Sequence, residues 1–250
     1  MKLLLAELTT TETAALLQSP RSCVLLPVGS VEPHGPHLPL GTDTVISEVV
    51  ARRAAEQLVT AGVAAVVAPT LPYGVTEFAR GFSGAIGISP LVLTSVLAEI
   101  ATAYLRDGFS HVCFVNNHLE PAHDAAIRAA AASHPKGAVS VACPLTRRWA
   151  RTLSDEFRRG NCHAGRYETS LVMAADAVVV GHDQLEGVSI SLSDGISAGK
   201  TSFIEMGMTA AYTGTPHEAS IAEGESLYER LVTMTVTEVL EGMDQRNIAQ

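Results

Sequence analysis

Four short apolar runs, Val24–Val28, Val63–Ala68, His111–Val115 and Val139–Ala142, are spaced widely enough for helices between them, and this alternation dictates the fold class. Runs that are apolar throughout suit strands buried on both faces. Such strands belong to parallel sheets, whose crossovers are helical. An amphipathic helix is expected from about Thr44 to Thr60, capped by Asp43 or Thr44. Ser89-Pro90 opens a second, which reaches about Asp107 before Gly108. Pro121 to Ser133, Leu171 to Ala175 and about Ile221 to Met243 read as further helices. No linker, repeat or low-complexity tract divides the chain. The expectation is one α/β domain over residues 1–250, its mainly parallel sheet covered by helices on both faces.

A chain of 250 residues can bury a substantial core without disulfides, and 47% hydrophobic content supplies one. Aromatics at 5% provide no stacking platform for nucleic acid. A net charge of -9 opposes binding to nucleic acid or to anionic membranes. Cys23, Cys113, Cys143 and Cys162 form no Cys-x-x-Cys pair, which suits a reducing, cytoplasmic setting. The start, Met1 to Glu7, is too briefly apolar for a signal peptide, and no apolar run reaches spanning length.

The chemistry concentrates in three clusters. The first is Glu32-Pro33-His34 with Asp43, in the loop after the Val24–Val28 strand. Carboxylate oxygen and neutral imidazole nitrogen suit zinc, manganese and related ions, and Glu32 and His34 share a side if the segment is extended. The second, His118-Leu119-Glu120, follows the His111–Val115 strand. Ligands in open α/β sheets collect beyond the carboxyl ends of strands, so the two loops can converge. Glu32, His34, Asp43, His118 and Glu120 suffice for two ions if one carboxylate bridges, and Asp43 is the natural bridge. The third cluster, Asn161-Cys162-His163 with Glu168, resembles a catalytic accessory: His163 can move a proton, and Glu168 lies near a helix start. Arg80, Arg166 and Tyr167 are candidate contacts for a polar substrate edge. His37 is read as support for the ligands, and His111, His123, His134, His182 and His217 as structural or solvated.

With Pro27-Val28-Gly29-Ser30, Glu32-x-His34-Gly35, His37-Leu38-Pro39, Asp43, Asn116-x-His118-x-Glu120, His163-Ala164 and Glu168-Thr169-Ser170, the chain resembles the creatininase (creatinine amidohydrolase) family of metal-dependent amide hydrolases. The resemblance implies two divalent ions, Zn2+ first and Mn2+ next. Glu32, Asp43 and His118 would hold one, and His34, Asp43 and Glu120 the other. It further implies hydrolysis of a small cyclic or linear amide, with His163 as proton shuttle, Glu120 as ligand or base and Glu168 orienting His163 or the substrate. A homo-oligomer, often a hexamer, is also implied.

The departures lie around the pocket. Leu119 stands where creatinine-hydrolysing members carry an aromatic residue, and Asn117 where many relatives carry Gly. The stretch Glu77 to Ala85 lacks the His and Pro usual in the substrate loop, and Trp149 is the only Trp. The metal box is kept and the pocket is changed, so creatinine is not the expected substrate. Relatives that trim a modified peptide generally have His-Gly-Gly-Asn in place of His118-Leu119-Glu120-Pro121, which counts against a peptide. A Cys162 nucleophile competes poorly with water activated by metal. Cleavage of a non-amide bond, such as a C–C bond in a cyclic ketone, and a silent binding subunit are the other readings.

Overall fold

A computed structural model describes residues 2–249; Met1, where the signal-peptide reading begins, and Gln250, the last residue of the expected domain, lie outside the described residues. The strands are β1 (Ser22–Val28), β2 (Ala64–Val67), β3 (His111–Asn116) and β4 (Val139–Ala142). The helices are α1 (Thr10–Leu16), α2 (Thr42–Thr60), α3 (Pro90–Asp107), α4 (Pro121–Ala132), α5 (Arg147–Ala150), α6 (Asp155–Arg158), α7 (Arg166–Ala174), α8 (Leu192–Ser197) and α9 (Ile221–Ala249).

Local chemistry sets the helix ends. Ser89 caps α3 by accepting the Val92 N–H, Pro90 occupies its first position, and Gly108 ends it at φ 117°, a conformation that suits glycine. Helix α2 begins at Thr42 with Gly41 as its cap residue, which places Asp43 inside the first turn instead of at the cap. There its charge complements the exposed helical amides. Helix α7 starts at Arg166, ahead of the expected Leu171, so Glu168 lies within it.

The four strands are all parallel, in the order β2-β1-β3-β4. Leu25 of β1 pairs with Val67 on one side and Cys113 on the other. Every residue of β1 is buried, and its side chains alternate between two cores. Cys23 and Leu25 join a cluster with residues of α2, α7 and α9. Val24, Leu26 and Val28 join one built with α3 and α4. Helices therefore cover both faces, as the apolar runs require. Because β2 and β3 flank β1 on opposite sides, the loops after β1 and β3 emerge side by side at the point where strand order reverses. The segment from Ser189 to Thr215 is ordered; it contains α8, and Val188 forms an antiparallel bridge to Gly214. Among the described residues no helix is long and apolar enough to cross a membrane.

Candidate metal centre

The loop after β1 delivers Glu32 and His34, the first turn of α2 delivers Asp43, and the loop after β3 delivers His118 and Glu120. The turn before α7 adds His163, and α7 itself adds Glu168. None of the seven is more than 7% exposed. So many titratable groups out of water need partners or an ion.

Each imidazole has one nitrogen committed. His34 Nδ1 donates to the Glu32 carbonyl (3.0 Å), His118 Nε2 to the Val75 carbonyl (2.6 Å) and His163 Nε2 to the Pro33 carbonyl (3.0 Å). In the neutral rings the other nitrogen therefore carries a lone pair. Those lone pairs face carboxylates: His34 Nε2 stands 3.4 Å from Asp43 Oδ1 and 3.6 Å from Glu168 Oε2, and His118 Nδ1 stands 3.1 Å from Asp43 Oδ2 and 3.2 Å from Glu32 Oε1. Glu32 Oε2 and His34 Nε2 are buried without a hydrogen-bond partner. Lone pair against carboxylate is repulsive unless a cation or proton lies between, and this donor set fits divalent ions.

The titration behaviour reflects the same demand for positive charge. Burial disfavours the charged forms of Asp43 and Glu32, but His34 and His118 for the former, and His118 for the latter, hold both below the ordinary carboxylate range. Burial likewise opposes the imidazolium of His34, yet Asp43, Glu168 and Glu32 raise it to about 10. Glu120 is pushed by burial up to about 7, against the pull of His118 and the amide of Phe78. Burial, with His34 adding to it, lowers His163 to about 4, so its ring is neutral.

Three groups each bring ligand atoms within 4.8 Å of one another: Glu32, His34 and His163; Glu32, His118 and Glu120; His34, Asp43 and Glu168. The expected grouping of His34 and Asp43 with Glu120 is thus not the one found; Glu168 meets that pair, while Glu120 gathers with Glu32 and His118. The Glu120 carboxylate also accepts the Glu77 and Phe78 N–H groups at 3.2 and 3.1 Å. Ser30 Oγ donates to Asp43 Oδ2 (2.6 Å), fixing that carboxylate.

A small cavity opens onto Glu32, Asp43, His118, Glu120, His163 and Glu168. Its remaining walls are mostly apolar: Phe78, Leu119 and Pro121, with Leu192, Ile196 and Phe203 from the segment between Ser189 and Thr215. Phe203 stacks on His163 with ring centroids 4.3 Å apart.

Other candidates fall elsewhere. Arg80 pairs with Glu77, Arg166 with Glu218 and Glu223, and Tyr167 is buried against Phe157; none lines the cavity. Trp149 packs in the core, its Nε1 donating to Glu238 (2.6 Å). His37 bonds to Thr169, beside Glu168. All four thiols are free and buried, and burial pushes the Cys162 thiol well above its usual range, which leaves it a poor nucleophile. His123, expected to be structural or solvated, is buried and bonded through both ring nitrogens. Its Nε2 donates to Asn116 Oδ1 while Nδ1 accepts the Val75 N–H, so it and His118 hold the two peptide groups on either side of Val75.

A family profile described as creatinine amidohydrolase matches residues 6–239. A mycofactocin precursor peptide peptidase of Mycolicibacterium smegmatis is 31% identical over 246 residues, spanning 95% of this chain and 92% of its own. A creatinine amidohydrolase of Pseudomonas putida is 29% identical over 119 residues, 46% of this chain and 44% of its own. The fold is shared with a solved structure named Creatininase Mn, at TM-score 0.76 and 21% identity, covering 97% of this chain and 99% of that one. A mutant creatininase of Zn-Zn type gives TM-score 0.75 at 20% identity, covering 97% and 99%.

Proposed function

From the premise that this chain belongs to the creatininase family, a family of hydrolases, we propose that it is a metal-dependent amidohydrolase that cleaves a C–N amide bond with two divalent ions bound. The observation that carries this reading is the division of Asp43, whose Oδ1 faces His34 and whose Oδ2 faces His118. A carboxylate placed so would serve two ions at once. Glu32, His118 and Asp43 would hold one; His34, Asp43 and Glu168 would hold the other. Zn2+ suits the mixed nitrogen and oxygen donors best, with Mn2+ next.

Such ions, when bound, bring the pKa of a coordinated water from 15.7 to about 7 and polarise a carbonyl oxygen. The protein's own groups move the protons. Glu120, at the cavity wall, takes the proton that the attacking water gives up as its oxygen bonds to the carbonyl carbon. His163, whose uncommitted Nδ1 carries a lone pair, takes that proton over from Glu120 and delivers it to the leaving nitrogen as the C–N bond breaks. The ring of Phe203 and the side chains of Leu192 and Ile196 keep bulk water from the reacting atoms.

The bond is an amide in a peptide or in a small molecule. Relatives named for a peptide substrate match along nearly the whole chain, which carries more weight than the four-residue difference at His118 to Pro121. Elemental analysis of gently purified protein, followed by assay against creatinine, other lactams, formamides and peptides, tests the reading. Near two ions per chain and amide cleavage support it. No bound metal after reconstitution would overturn it.

A further inference from the structure

The turn that carries His163 and the helix that carries Glu168 are both fastened to a carboxylate outside the cavity. Glu156, on α6, is 7% exposed. Its Oε1 accepts the N–H groups of Arg166 (3.0 Å) and Thr215 (2.8 Å), and its Oε2 accepts that of Tyr167 (2.7 Å). Helix α7 has no capping side chain at its own cap residue, Gly165. Glu156 supplies the cap from another helix, where its charge is favoured by the amides. Through Thr215 it also holds the segment whose Thr213 N–H donates to the His163 carbonyl at 2.9 Å.

Two glycines make room for this carboxylate. A Cβ on Gly165 would stand 2.9 Å from Glu156 Oε1, and a Cβ on Gly214 would collide with the same oxygen. Between His163 and Gly165, Ala164 sits at φ 48°, a conformation that costs a residue with a side chain about 1–3 kcal/mol and persists only where its surroundings impose it. Its N–H donates to Glu168 Oε2 at 2.6 Å, so the strained turn and the carboxylate that meets His34 are one unit. Glu156 holds both ends of that unit.

We propose that Glu156 is a positioning residue: it sets the His163 turn and the first turn of α7 so that Glu168 reaches His34 and Asp43, and it touches neither substrate nor metal. The proposal rests on the two-ion reading given above. Groups that orient ligands are typically worth 10–100-fold in metal affinity, and the loss should fall on one ion only. Glu32 and His118 are delivered by the loops after β1 and β3, not by α7.

The test is titration of the apo protein with Co2+, followed by its visible absorption, for wild type, Glu156→Gln and Glu156→Asp, with thermal unfolding of each apo form alongside. Wild type should bind in two steps. Glu156→Gln should weaken one step about 10–100-fold and leave the other in place, with Glu156→Asp recovering part of the loss. If the Gln variant does not fold, the Asp variant carries the test, with one step selectively weakened. Two unchanged steps in a folded variant, or two steps weakened together in proportion to lost apo stability, would overturn the proposal. Absence of any cobalt binding by wild type removes the two-ion premise and the proposal with it, a result distinct from unchanged steps in the variant.

Discussion

His34 Nε2 lies 3.4 Å from Asp43 Oδ1, and because the Nδ1–H of the same ring is given to the Glu32 carbonyl, the neutral ring offers Asp43 a lone pair and no proton. The other Asp43 oxygen has the same relation to His118 at 3.1 Å. Asp43→Ala should therefore remove both ions, since it deletes the oxygen that faces each of them. Glu168→Gln should remove one. Metal content per chain after gel filtration distinguishes them, and equal losses would disprove the division.

His118 and His163 should separate cleanly. His118→Ala deletes a ring whose two nitrogens join the site to the Val75 carbonyl, and should lower metal occupancy. His163 stands 3.8 Å from Glu32 Oε1, looser than the contacts of His118. His163→Ala should keep its metals and lose about 10²–10⁴ in kcat, the usual worth of a positioned acid or base. Paired elemental analysis and kinetics would reveal equal metal loss, the outcome that sinks the separation.

Acid sensitivity should have a contribution far from the site. His111 is buried at the start of β3, with Nδ1 donating to the Gly137 carbonyl (3.0 Å) and Nε2 beside Ser140 Oγ (2.8 Å). Burial, helped by Arg246, lowers it from 6.5 to about 4. The folded pKa lies below the unfolded one, so the unfolded chain takes the proton first. The stabilisation is complete above pH 6.5 and is lost as pH falls toward 4. At about 1.4 kcal/mol per pH unit the loss approaches ~3 kcal/mol. Urea unfolding of metal-free protein should show His111→Gln less stable at neutral pH but with a flatter dependence across that window; parallel curves would exclude His111 as a source.

Phe203 belongs to a small cluster with Ala79 and Met208, apart from the two main cores. Its N–H donates to the Phe78 carbonyl at 2.8 Å. Phe203→Ala should thus lower kcat/KM about tenfold or more by opening the cavity, while the melting temperature moves by only a few degrees. A large stability loss with unchanged kcat/KM would assign Phe203 to the fold alone.

The strands are legible in the sequence because each is apolar along its length, and burial on both faces demands that pattern. Glu32, His34, Asp43, His118 and Glu120 are legible as a group because short loops tie them to neighbouring strand ends. Glu168 is different. Its approach to His34 depends on the direction of α7, which Glu156, Thr215 and the Ala164 turn determine together, and no local spacing encodes that. Trp149 lies in the core, where α9 covers it and Glu238 takes its N–H, and no local spacing encodes that either. Phe203 is remote in sequence from every ligand, and only the closing of its segment over the sheet reveals its contact with His163.

The candidate metal ligands hang chiefly from the ends of β1 and β3 and the helices beside them, whereas Phe78, Leu192, Ile196 and Phe203 belong to connections that contribute nothing to the sheet. Inheritance can act on these two parts separately. Drift in the connections changes which molecules are admitted while the reaction passes unaltered to descendants, so a new substrate can be acquired without first losing the old chemistry.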